Sequence, residues 1–224
     1  MKKLFFLALL AALLLTGCHK GPKLIDSDTV PQENIFQLYT VTYDAQKQEM
    51  SATATFRIDH RSGQLLKLTA DADVTADGHA MKLNKEGSYS CELDQYKQKI
   101  PFIYTNNSQA KFKNVVITNS IEFSSEAVAL SKEKGGTISV KAEPFEEGES
   151  VSCILSRGDD VVEFDLEQGN GSVAASPESL ESVAAGTYDA QLVRKGYSDK
   201  VNALDRGGLW ETKYISKTKK ITIQ

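Results

Sequence analysis

The chain has 224 residues, with 26 Lys and Arg against 30 Asp and Glu, a formal charge of −4, and 41% hydrophobic residues. A mildly acidic balance sets nucleic acid aside, because a phosphate backbone demands Lys and Arg clustered on one surface. The Lys217-Thr218-Lys219-Lys220 run is too small to reverse this and reads as the solvated edge of a last strand.

In chain order, Met1-Lys2-Lys3 and the uncharged stretch from Leu4 to Leu15 form the basic and short apolar regions of a secretory signal. A spanning helix needs about 20 apolar residues, and this run stops at Thr16-Gly17-Cys18. Leu15-Thr16-Gly17-Cys18 resembles the lipobox of bacterial lipoproteins. The resemblance covers the first 18 residues and implies cleavage before Cys18 and diacylation of its thiol, so residues 1–17 are the signal peptide. Two or more acyl chains, at about 0.8 kcal/mol per buried CH₂, hold a protein firmly on its membrane. The following His19-Lys20-Gly21-Pro22 lacks Asp, which by the same resemblance points to the outer membrane of a Gram-negative source. Its basic character weighs against export to the cell surface. Loss of Lys2 and Lys3 leaves 24 basic against 30 acidic residues in the mature chain, a charge of −6.

Residues 18–34 carry Gly21, Pro22 and Pro31 with little apolar periodicity and read as a lipidated tether. From Phe36 the pattern becomes period-two: 36–43 and 52–58 alternate apolar and polar residues as half-buried strands do, and Asp77-Gly78 marks a hairpin turn.

Sliding the chain on itself by 99 residues lays Gly87-Ser88-Tyr89 over Gly186-Thr187-Tyr188 and Ala52–Phe56 over Val151–Leu155. A duplication predicts two domains, 35–124 and 125–224. Ser176 before Pro177 is expected to cap one helical turn that Gly186 ends. A turn, then Gly-x-Tyr, then an alternating strand resembles the tyrosine corner of immunoglobulin-like domains. That resemblance implies an all-β fold of two tandem Ig-like antiparallel β-sandwiches, with Tyr89 and Tyr188 as corner tyrosines whose hydroxyls bond nearby backbone. The Trp and paired Cys of antibody domains are missing, since the single Trp is Trp210, and such a fold does not specify function.

Cys91 and Cys153 fall in separate repeats, opposite Ala190 and Ala54 in the 99-residue register, which favours buried free thiols over an interdomain disulfide.

Catalytic motifs are sparse. Asp59-His60-Arg61-Ser62 contains hydrolase residue types, but neighbours at a strand end point apart, and a polar turn explains them. Asp71, Asp73, Asp77 and Gly78 suggest a calcium loop, yet position twelve counted from Asp73 is Asn84 rather than the Glu an EF-hand uses. No Gly-x-Ser-x-Gly or Walker loop occurs. The sequence therefore points to a lipid-anchored, non-enzymatic binding or assembly module of the cell envelope with no cofactor or metal. Its expected partners are the membrane through Cys18 and a protein. The alternatives are a carbohydrate-binding lipoprotein, for which Trp210 and nearby tyrosines would be the surface, or a carboxylate-dependent hydrolase.

Overall fold

The computed structural model describes residues 21–124 and 128–224, so the signal segment and Cys18 lie outside the described residues. The alternating segments form strands: β1 (Ile25–Asp26), β2 (Ile35–Asp44), β3 (Glu49–Ile58), β4 (Leu66–Lys67), β5 (Asp73–Ala76), β6 (His79–Ala80), β7 (Lys82–Leu83), β8 (Tyr89–Leu93), β9 (Lys99–Thr105) and β10 (Lys111–Ile117). The second half supplies β11 (Ile121–Phe123), β12 (Val128–Leu130), β13 (Gly136–Ala142), β14 (Ser150–Arg157), β15 (Asp160–Gly169), β16 (Ser172–Ala175), the single-turn helix α1 (Pro177–Leu180), β17 (Gly186–Ser198), β18 (Gly208–Ile215) and β19 (Lys219–Ile223). Ser176 caps α1, its Oγ accepting from Ser179 N at 3.2 Å. The turn stops at Leu180, well before Gly186.

The all-β, two-sandwich architecture is what the chain forms, with each core pressed between two sheet layers. In the first, Tyr39, Val41, Ala52, Ala54 and Phe56 of β2 and β3 meet Val74, Ile100, Phe102, Tyr104 and Phe112, contributed by the β10-β9-β5-β6 sheet. In the second, Val151, Cys153, Leu155, Leu192 and Ile221 meet Ile121, Ile138, Val140 and Val173 of the β11-β13-β16 layer. Strand β15 turns the corner between layers, pairing with β14 over 160–166 and with β16 over 167–169.

The two sandwiches share one continuous sheet. Strand β17 runs 13 residues, and its edge is taken first by β19 (Tyr188↔Ile221) and then by β18 (Val193↔Ile215). Between these registers residues 216–218 face only 191 and 192, so β18 and β19 are one strand interrupted by a bulge at Ser216. The buried Ser216 secures it, accepting from Leu192 N through Oγ at 2.8 Å and donating its own N–H to Leu192 O at 2.9 Å. On its far edge the bulged strand takes β2, with Trp210 opposite Tyr39 and Tyr214 opposite Tyr43, and then β12. Gly208 makes the β18–β2 join possible, because a Cβ there would stand 2.3 Å from Gln37 O. The registers put Tyr39, Tyr214, Arg194 and Val151 on one face, so both cores lie against the same side of the sheet.

Several expectations change. The tether is short: β1 pairs with β4, Ser27 is buried with its Oγ accepting from Thr69 N at 3.1 Å, and Ile25 and Val30 pack on the first core. A few apolar side chains without periodicity suffice to seat that segment. Sheet pairing is not purely antiparallel, since β1–β4, β2–β18 and β12–β19 are parallel. The chain enters the second core at Ile121, a few residues before the expected 124 boundary. Strand β19 pairs with β17 over 219–223 and with β12 over 221–223. The 99-residue offset matches β3 with β14, β5 with β16 and β8 with β17. The partners differ, however: β2 pairs with β3, whereas β13, its counterpart, pairs with β11 and β16.

Candidate functional site between the two cores

Over Arg194 of β17 and Trp210 of β18, the gap between the two cover sheets is bordered by the 118–120 link, the loop between β13 and β14, and the residues following β17. Its inner part is organised by Arg194, which sits on the buried parity of β17 after Tyr188, Ala190 and Leu192. All five guanidinium N–H groups are used. Nε and Nη2 donate to Glu149 Oε1 and Oε2 at 3.1 and 2.6 Å, Nη1 to the carbonyls of Ser120 and Glu143 at 3.1 and 2.9 Å, and Nη2 also to Pro144 O at 2.9 Å. The guanidinium carbon lies 4.7 Å from the Phe145 ring centroid. Glu149 accepts further from Asn119 Nδ2 at 3.0 Å and Glu146 N at 2.8 Å, and Asn119 Oδ1 accepts from Gln98 Nε2 at 3.0 Å. A polar chain thus runs from the first sandwich to the second through groups removed from water, where such bonds are strong once every member is satisfied.

Beside this node lie Tyr43, Tyr96 and Tyr214, with ring centroids 4.8 to 5.5 Å apart; Tyr43 and Tyr96 pack on both cores and Tyr214 belongs to the second. Tyr96 donates to Thr118 O at 2.8 Å and Tyr214 to Glu122 Oε1 at 2.8 Å. Burial, then the nearby Glu143 charge, pushes the Tyr96 phenol up to about 12. Burial and the Glu122 carboxylate raise Tyr214 strongly.

Outward from the node opens a concavity of about 580 Å³ lined by Trp210, Tyr197, Glu146, Glu147, Asp199 and Lys200 among others. Gly196 packs beneath this wall: a Cβ there would stand 2.7 Å from Thr212 Oγ1 and in ordinary contact, at 3.6 Å, with Trp210 Cζ3. Trp210 is half-buried, Tyr197 is 46% exposed, and Glu146, Glu147 and Asp199 are exposed. Glu149 lines the same wall but is committed to Arg194.

The residues singled out in the sequence are scattered. Tyr188 donates to Ala184 O at 2.8 Å, four residues upstream. Tyr89 instead accepts from Leu68 N at 2.7 Å, 21 residues away, so the two tyrosines hold different loops. Cys153 is fully buried in the second core, where burial pushes its thiol up to about 12. Cys91 is half-buried, its thiol raised by burial and then by Glu92 and Asp77. Both are free thiols. Cys18 lies outside the described residues. Asp59 pairs with Arg206 at 3.2 Å rather than with His60, whose Nδ1 meets Ser62 Oγ at 3.2 Å on an exposed turn. Asp77 pairs with Lys97, while Asp71 and Asp73 are exposed. Among the described residues no three His, Cys, Asp or Glu are grouped to hold a metal ion, and no helix is long and apolar enough to cross a membrane. Arg194 and Glu149 were missed in the sequence, although an Arg continuing the apolar parity of Tyr188, Ala190 and Leu192 is a legible signal of a buried charge.

No family profile matches the sequence, and no curated protein matches it. Among solved structures there is a similarity to the Plexin A4 full extracellular region, at 9% identity and a TM-score of 0.25, over 85% of this chain and 27% of that one. The chain therefore spans about a quarter of that protein's length. So distant a likeness carries neither fold nor function, and the all-β assignment stands on the strands and registers described above.

Proposed function

We propose that the protein is a non-catalytic, lipid-anchored binding or assembly module of the bacterial envelope. Cys18 holds it at the outer membrane, and the groove between the two cores receives a cationic segment of a protein partner. The observation that supports this most is the groove's lining, a partly exposed indole beside Glu146, Glu147 and Asp199, which outnumber Lys200. A Lys or Arg over an indole face gains about 0.5–2 kcal/mol, and carboxylates add charge-assisted hydrogen bonds. The floor is a pair of strands fixed by two cores, so little ordering is lost on binding. Of the acids singled out in the sequence, Asp59 pairs with Arg206 and Asp77 with Lys97, and in the groove wall Glu149 is committed to Arg194.

The same indole favours a glycan as the second reading, because sugars stack on aromatic faces and hydrogen-bond to carboxylates. Calorimetry with lysine-rich peptides and with neutral amino-sugar oligomers separates the two. Peptide binding that disappears in E146Q/E147Q/D199N supports the first, and glycan binding alone replaces it with the second. Anchoring is tested by Cys18→Ser, which moves the chain from the membrane to the soluble fraction. Retention of that variant on the membrane contradicts the anchor.

A further inference from the structure

We infer that the protein lies on its membrane through a basic patch at the turn between β7 and β8, docking on anionic phospholipid headgroups. The inference rests on the proposed lipidation of Cys18. Its physical basis is how little chain separates Cys18 from the fold. A Cβ on Gly21 would stand 3.3 Å from Lys85 O, and one on Gly87 would meet Leu24, Leu65 and Pro22 side chains within 3.3 Å, so residues 21–24 are seated against that turn. Three residues of chain reach about 11 Å at most. The headgroups then lie about 11 Å or less from Gly21, comparable to the Debye length of about 8–10 Å in ordinary salt.

What surrounds it differs from the rest of the molecule. Lys23, Lys82 and Lys85 are exposed on the chain entry and the turn, and Lys67 is exposed on β4, opposite Asp26 of β1. The acids along the same entry and turn are Asp26, Asp28 and Glu86 against the four lysines, so the patch is net basic by one charge on a net acidic chain. Leu83, between the lysines, is an exposed apolar side chain at 37%. Lysines around one apolar residue, held within reach of a bilayer, suit an anionic surface.

The test uses the mature chain purified from membranes and reconstituted into vesicles of phosphatidylcholine alone or with phosphatidylglycerol at three to one. Amide exchange over residues 82–88 is expected to slow several-fold on the phosphatidylglycerol vesicles only. The protection should vanish in K67E/K82E/K85E and in high salt, with unchanged Trp210 emission showing that the variant is folded. Equal exchange on both vesicles, or protection around residues 158–171 instead, overturns the inference. Intact mass of the same preparation separates the two claims. An acylated Cys18 with an unprotected turn defeats only the docking, whereas a chain without acyl groups defeats the anchor and the docking with it.

Discussion

Replacing Arg194 by Met tests whether the two cores are held together by the buried polar node. The Arg194 side chain is 1% exposed and that of Glu149 8%, so solvent does little to screen the pair. The variant strands the Glu149 carboxylate with two donors, Asn119 Nδ2 and Glu146 N, and leaves the carbonyls of Ser120, Glu143 and Pro144 without their partner. Removing one member of a buried pair costs about 3–5 kcal/mol, which for a chain of this size lowers Tm by about 6–20 °C. Urea unfolding followed by Trp210 emission and by far-ultraviolet circular dichroism measures it. Arg194→Lys restores the charge but not the five-donor fork, and is expected to recover only part of the loss. The double variant R194M/E149L removes both charges and is expected to cost less than the sum of its singles. A loss below about 1 kcal/mol for Arg194→Met, far under the buried-pair range, or strictly additive singles, refutes the assignment of Arg194 as the organising residue.

Other consequences follow from donor and acceptor roles. Tyr89→Phe deprives the Leu68 N–H of its acceptor and should cost about 1–3 kcal/mol, whereas Tyr188→Phe removes a donor to Ala184 O and should cost about 1 kcal/mol; equal losses in denaturant titrations would contradict the difference. Gly208→Ala forces a Cβ onto Gln37 O and is expected to destabilise by about 1–3 kcal/mol, with amide exchange rising first along β2 and β18. Alkaline unfolding should be steep. Folded-state values raised above the unfolded ones make the stability of Cys153 and Tyr96 complete below about pH 9, and it is lost as the pH rises toward about 12. Buried Tyr39, Tyr104 and Tyr214, raised further by desolvation, extend the loss in the same direction. Stability that is flat from pH 9 to 12 would show that these groups titrate alike in both states.

Much of the fold was legible because period-two alternation and turn chemistry are local. The runs at 36–43 and 52–58 became β2 and β3, the Asp77-Gly78 turn joins β5 to β6, and Ser176-Pro177 begins the one described α-helix. The shared sheet was not legible. Its parallel join at β18–β2 depends on a glycine that admits Gln37 and on a bulge at Ser216, neither of which has a periodic signature. The tether was misjudged for a similar reason: Leu24, Ile25 and Val30 find apolar partners only once the β4 and β8 region is in place. Trp210 and Tyr197 stood out as aromatics without a motif, but the groove they share is assembled from separate segments spread between Ile117 and Trp210. Sequence spacing carries no trace of that proximity.

The most direct test of the central claim is Trp210 emission, because the chain has a single tryptophan and it lines the groove. Titration of the mature protein with a lysine-rich peptide is expected to give a saturable change in intensity and wavelength that high salt weakens and E146Q/E147Q/D199N abolishes. An acidic peptide of equal length should give none. An emission spectrum indifferent to both peptides, or an identical response in the charge-neutralised variant, would contradict the groove as the binding site.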